Sequence, residues 1–279
     1  MASERIFESA PRTIELFARA GLSMVPLLGA GGADIPDLHL GMNDISVQRG
    51  RVESYCRVCG FEPSDTLPPT YPHILAFPLH LALMTDSSFP FPAIGLVHIS
   101  NEITQHRPIS AGETLALKVW ATPLQPHSRG RQFAVRTEAS VGGEVVWEEV
   151  STNLKRGGGS GRAPQRETAE PLPPTDTWTL PGDLGRRYAS VSGDFNPIHI
   201  HPLTARLFGF PSAIAHGMWT KARCLAALSG RLPDAFSVEV SFRKPILLPA
   251  TVEFASAGDR FEVRDGGHHL TGSIGRPST

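Results

Sequence analysis

Cysteine is scarce: the 279 residues hold three, Cys56, Cys59 and Cys224. That is too few to staple a chain of this length, so a disulfide framework is excluded and the fold must rest on its own core. No surplus of either charge is present, because 26 Lys and Arg stand against 27 Asp and Glu for a formal net charge of −1. A nucleic-acid binder relies on a basic field that neutralises phosphates, so DNA and RNA are not expected as partners. The start, "MASERIFESAPRTIELF", mixes charges into its apolar positions and offers no h-region, so a secretory signal is not expected and residence is expected to be cytoplasmic. A long unbroken apolar run is missing too. Residues 67–85 come nearest, with no formally charged side chain if His73 and His80 are neutral, but Pro68, Pro69, Pro72 and Pro78 interrupt the backbone ladder that a spanning helix needs. A buried loop and a helix near residues 79–84 are expected there, and no membrane association.

What remains is a globular composition, 41% hydrophobic and 19% charged. Cys56 and Cys59 form a CxxC, "CRVC", yet zinc would need two further ligands and no second CxxC exists. A redox motif would want a strand before and a helix after, whereas Gly60 and Pro63 follow at once, so two small residues on a helix face are expected.

The chain is written twice. "RPISAGETLAL" at 107–117 aligns with "KPILLPATVEF" at 244–254, an offset of 137 residues, and Ile99, Asn101 and Ile103 fall on Phe236, Val238 and Val240 at the same offset. "SYCRVCGF" at 54–61 lies over "RYASVSGD" at 187–194. Between the copies, "KRGGGSGRAPQRETAEPLPPTD" is rich in Gly, Pro and polar side chains and reads as a linker. The expected organisation is an N-terminal repeat over 1–154, a linker over 155–176 and a C-terminal repeat over 177–279. In the second copy the pattern gives a short strand at 175–181, a helical turn or two at 183–193 stopped by glycine, a short helix around 203–208 and a longer one over 217–229. Alternating strands follow at 237–242, 251–256, 260–264 and 269–274. The first copy repeats the plan, with strands near 96–105, 113–122, 131–141 and 144–154. A helix on one face of an antiparallel sheet is an α+β architecture.

The densest chemistry is "SGDFNPIHIHP" at 192–202. If Gly193 ends a helix and the prolines hold an exposed loop, Asp194 and His199 can point into one cavity, where a carboxylate and an imidazole sharing a water can remove and return a proton. Asn196 before Pro197 can fix the bend by bonding the backbone. His201 is expected to face away. The same residues also suit a plain cap and a structural histidine. Gly217 begins the long helix, where an unpaired N–H and the positive end of the helix dipole can meet a carbonyl oxygen; packing of helix on sheet would equally explain a glycine.

"YASVSGDFNPIHIHPLTA" at 188–205 and "AIAHGM" at 213–218 resemble the signature of the MaoC-like, hydratase 2 family of (R)-specific enoyl-CoA hydratases. The resemblance covers residues 175–275, and the first half looks like the degenerate partner repeat of double hotdog members. It implies an α+β double hotdog, each repeat a long helix wrapped by an antiparallel sheet. It implies Asp194 and His199 as catalytic pair, Asn196 as orienting residue and Gly217 as donor to the thioester oxygen. The implied reaction is reversible hydration of a trans-2-enoyl thioester to the (R)-3-hydroxyacyl thioester, with CoA or acyl carrier protein as part of the substrate and no metal or redox cofactor. The first copy departs from the signature: Gly60-Phe61 stands where Gly193-Asp194 does, and no Asn-Pro-x-His follows, so one active site per chain is expected. Its residues 76–84 and 87–95 are expected to line an acyl tunnel or to pack a core. Arg243 and Lys244, with Arg186 and Arg187, are candidate cations for CoA phosphates or ordinary surface charges. A hotdog thioesterase is the competing enzyme, weakened because residues 217–229 contain no carboxylate; a non-catalytic acyl-thioester binder is the third reading, weakened by the intact Asp194 and His199. Two fused repeats can satisfy each other, and further pairing into a homodimer is left open.

Overall fold

The computed structural model describes residues 3–22, 34–159 and 170–277. The first half runs β1 (Ser3–Phe7), α1 (Thr13–Leu22), β2 (Leu38–Ser46), α2 (Arg49–Cys59), α3 (Tyr71–Met84), β3 (Val97–Gln105), β4 (Thr114–Ala121), β5 (Gln125–His127), β6 (Gly130–Val141) and β7 (Glu144–Arg156). The second runs β8 (Pro174–Leu180), α4 (Leu184–Ser192), α5 (Pro197–Ile200), α6 (Pro202–Arg206), α7 (Gly217–Leu228), β9 (Phe236–Phe242), β10 (Ala250–Ala257), β11 (Arg260–Arg264) and β12 (His268–Gly275). Of the expected linker, residues 160–169 lie outside the described residues.

Eleven of the strands follow one path, β1-β2-β4-β6-β7-β3-β9-β12-β11-β10-β8, and β5 pairs β6. Every pairing is antiparallel except β1 with β2. The two halves join where β3 meets β9, and Glu102 lies opposite Glu239 in that register. Those two residues are 137 positions apart, so equivalent strands of the repeats pair about a local two-fold axis. On either side of it the inward residues Ile103, Val238 and Val240 are fully buried. Tyr55 of α2 and Tyr188 of α4, equivalent in the sequence repeat, pack with ring centroids 6.2 Å apart. Both helices end on a left-handed glycine, Gly60 (φ 83°) and Gly193 (φ 76°), where a Cβ would be disfavoured. The CxxC sits on α2 with both thiols buried, and burial pushes Cys56 and Cys59 above the ordinary thiol range.

Two helices carry the core. α7, apolar on most sides, is buried at Met218, Trp219, Ala222, Cys224 and Leu225. In the first half α3 holds the corresponding position. It begins at Tyr71, well before the expected 79–84, with Pro72 at its start and Pro78 inside. The sequence pattern stops at Pro78 because proline lacks the N–H for the turn before it; here burial of Ala76, Leu79 and Leu83 on both sides of that gap carries the helix through. Also unforeseen are β1, α1 and β2. No helix among the described residues is long and apolar enough to cross a membrane.

Candidate active site

Backbone turns built from side chains deliver the motif. After Gly193, Asp194 Oδ1 accepts from the Asn196 N–H at 3.1 Å and Asn196 Oδ1 accepts from the Ile198 N–H at 3.4 Å. These successive turns lead into α5, which Pro197 opens at a position where its missing N–H is no loss; Pro202 opens α6 in the same way. The prolines therefore start two short helices instead of holding an exposed loop, and His199 lies buried within α5. α4 presses on α5 so closely that a Cβ at Gly185 would overlap the His199 carbonyl. His201 points away, exposed, its Nδ1 accepting from the Leu203 N–H.

Asp194, His199 and His216, the residue before α7, bring a carboxylate oxygen and two ring nitrogens within 4.8 Å of one another. His199 Nδ1 lies 2.8 Å from the Ile214 carbonyl, which can only accept, so Nδ1 carries the proton. Burial lowers the His199 pKa despite the Asp194 charge, which leaves a neutral ring with a lone pair on Nε2. About 25% of the Asp194 side chain is reached through the cavity, yet protein encloses the carboxyl. Its pKa is raised by burial, with His199 opposing. His216 Nε2 donates to the Asp194 carbonyl at 3.0 Å and sits 3.7 Å from the Asp194 carboxylate, and its ring stacks on His199 with centroids 3.6 Å apart. Burial holds His216 neutral, with the His199 ring adding to the effect.

Gly217 opens α7, and its N–H has no acceptor among the described residues. A Cβ there would come 2.9 Å from the Phe242 ring, so close packing also requires the glycine. Asp194, Asn196, His199, His216 and Gly217 all border one cavity of about 380 Å³. Its apolar walls come from both halves, with Phe77, Leu81, Met84 and Ile94 of the first among them. Phe89 and Phe91 of the same expected segment pack into the core against Phe133. Arg243 and Lys244 stand exposed at the rim, whereas Arg186 and Arg187 do not border the cavity.

The sequence pattern missed Phe17 of α1, which lines the cavity beside Phe77, and it missed His216. His216 stands directly before Gly217 in "AHGM", but its relevance comes from a stack on His199 that no spacing announces. Two groups have metal-ligand spacing among the described residues: Asp194, His199 and His216, and His73, His80 and Glu149. In each, hydrogen bonds already engage ring nitrogens: His73 with Glu149, His80 with Thr137, His199 with Ile214 and His216 with Asp194.

Residues 164–271 match the family described as MaoC like domain. The chain is 38% identical over 266 residues to the 3-hydroxyacyl-thioester dehydratase X of Mycobacterium tuberculosis, covering 94% of this chain and 92% of that protein. The crystal structure of HtdX from M. tuberculosis superposes with a TM-score of 0.76 at 37% identity, over 85% of this chain and 98% of that one. A further M. tuberculosis structure described as a double hotdogfold superposes with a TM-score of 0.51 at 11% identity over 88% of this chain and 96% of that one, a likeness of fold alone.

Proposed function

The chain belongs to the MaoC-like dehydratases, and from that premise we propose that it hydrates trans-2-enoyl thioesters reversibly to (R)-3-hydroxyacyl thioesters, through Asp194, His199 and Gly217. It is a hydro-lyase of acyl thioesters. The observation that carries the assignment of roles is a neutral His199 with Nε2 unprotonated, beside a carboxyl of raised pKa and a free helix-start N–H, all bordering one cavity.

In hydration, a water held between the Asp194 carboxylate and His199 Nε2 gives its oxygen to the β-carbon. The pair accepts one water proton and a proton is delivered to the α-carbon, so the sum is H and OH across the double bond. Electron density moving onto the thioester oxygen is met by the Gly217 N–H and the positive end of α7. Dehydration is the same path in reverse. Asn196 orients the turn, and His216 holds Asp194 and His199 together through its hydrogen bond and stack. No step calls on a metal or redox cofactor. Arg243 and Lys244 offer cations to the phosphates of CoA or of a carrier protein's pantetheine arm. The near-zero net charge supports the absence of a nucleic-acid partner, three buried free thiols suit the reducing cytoplasm, and exposed Leu203 and Leu207 offer apolar surface for a homodimer.

Crotonyl-CoA and longer enoyl-CoAs test the reading through loss of the enoyl absorbance. Hydration to the (R)-3-hydroxy product is expected, with His199→Gln at least about a hundredfold slower. Free thiol without hydroxyacyl product would mark a thioesterase instead.

A further inference from the structure

Along β7 the usual logic of a strand is inverted. Glu149 and Ser151 are buried, while Val150 between them is partly exposed. Opposite them on β3, Asn101 is fully buried at the position equivalent to Val238 of the second repeat. Such a polar stripe on a core-facing strand survives only if it is hydrogen-bonded or serves a ligand. Most of it is bonded. Glu149 Oε1 accepts from Asn101 Nδ2 at 2.6 Å and its carboxylate meets His73 Nδ1, while Asn101 Oδ1 accepts from Lys221 of α7 at 2.5 Å.

Three positions are left over, and all three border the catalytic cavity. His98 Nε2 is buried without a partner. Ser151 Oγ accepts from Asn101, which leaves its own O–H free to donate. Asn153 spends its Nδ2 on the Ser151 carbonyl, leaving Oδ1 free to accept. His98 and Asn153 are register partners on adjacent strands, so their side chains rise side by side from one face. Together they present a hydroxyl donor, an amide acceptor and an imidazole ring to a cavity whose lining also includes Phe77, Leu81, Met84 and Arg156.

We propose that this wall is a recognition subsite for a neutral oxygen function, a hydroxyl or ketone, carried by the acyl chain of the thioester beyond the reacting carbons. The proposal rests on the hydratase reading, which supplies the thioester. A plain hydrocarbon tail would leave the three polar positions dry and unpaired, whereas a hydroxyl can donate to Asn153 Oδ1 and accept from Ser151 or His98. A carboxylate would meet the charge of Glu149 behind these three positions and suits them less well than a neutral oxygen does, although Arg156 also borders the cavity. Glu149, bonded to the Asn101 that also bonds Ser151, is held ionised: burial works against the charge, but His73 and the Asn101 hydrogen bond outweigh it and keep the pKa at about 2. His98 and His80 stay uncharged, since burial brings His98 down to about 3 and His80 to about 4.

The test compares kcat/KM for trans-2-decenoyl-CoA with that for the same chain bearing one hydroxyl, walked carbon by carbon along the segment beyond the double bond. At least one hydroxylated chain is expected to exceed the plain chain by about tenfold, the worth of one good buried hydrogen bond. In His98→Phe and Asn153→Leu, with folding checked by circular dichroism, that ratio is expected to fall to about one. Hydroxylated chains that are all poorer than the plain one, or a ratio unmoved by both substitutions, would overturn the subsite. If no thioester turns over, the hydratase reading fails separately. Calorimetry with saturated decanoyl-CoA and its hydroxylated forms then decides the subsite by the same ratio in affinity.

Discussion

Asp194 pays for its position. Burial raises its pKa, so the ionised form that the proposed hydration calls on is disfavoured in the folded protein. Asp194→Asn removes that cost and keeps an Oδ1 to accept from the Asn196 N–H. The expected outcome is kcat/KM down about a hundredfold or more with a melting temperature unchanged or higher. A melt several degrees lower, with activity lost in proportion, would make the residue structural. Gly217 poses the opposite question, because its absent Cβ faces Phe242. Gly217→Ala is expected to lose roughly tenfold in kcat by pushing that ring, and adding Phe242→Leu is expected to recover most of the loss. A double variant no better than the single one would mean that the added Cβ blocks the approaching carbonyl itself. The convergence of Asp194, Asn196, His199 and Gly217 on one cavity was legible because local turns and a helix start place them. His216 and Phe17 were not, since each matters through a contact with a residue distant in sequence.

At the scale of elements, legibility follows how far local preference decides. Strands β9 to β12 and helix α7 show clear periodicity and stop signals, and the sequence placed them closely. α3 was read short because Pro78 outweighs its neighbours locally but not in the packed core. α5 and α6 were read as loop and partial helix because Pro197 and Pro202 suit a first helical turn as well as a bend. Tertiary partners hid the polar stripe of β7 altogether, since alternation alone would point Val150 inward. That stripe is tied to α7 by Lys221, whose ammonium donates to the Asn101 side chain and to the carbonyls of Asn101 and Val238. Burial brings Lys221 down to about 7, with Glu149, Glu102 and Glu239 acting against the drop. Lys221→Met leaves those acceptors unpaired and is expected to destabilise the protein by about 1–3 kcal/mol. Between pH 7 and the ordinary lysine value the unfolded chain holds this proton and the folded chain does not, so the wild type gains stability with rising pH. Denaturant unfolding should therefore show the gap between wild type and variant widening from pH 7 to pH 9.5.

The whole molecule is two similar repeats that share one core, with the candidate catalytic groups in the second alone. Phe61 fills the place equivalent to Asp194 and packs against Tyr55, so the first copy has a buried ring where the second has a carboxyl at a cavity. The alignment of "SYCRVCGF" with "RYASVSGD", at a different offset from the strands, shows this substitution in the sequence; how the two cavity walls meet could not be read, because it depends on β3 pairing with β9. The joined cavity gathers uncharged histidines from both copies: His80 and His98 of the first, His199 and His216 of the second, each pushed down by burial. On unfolding, all four regain ordinary values near 6.5 and take up protons in mildly acid solution. Stability they contribute is thus full above about pH 6.5 and is lost as pH falls toward 4, and Glu149 extends the loss from about 4.5 down to about 2. Asp194 opposes them over part of the range, since its raised pKa favours the folded state on acidification. The sum predicts a melting temperature on the order of 10 °C lower at pH 5 than at pH 7.5. Calorimetric unfolding at pH 5.5 in buffers of different ionisation enthalpy is expected to register net proton uptake. Unfolding with no net uptake there would mean that the histidines are charged in the folded state, and would remove the neutral His199 on which the proposed hydration mechanism depends.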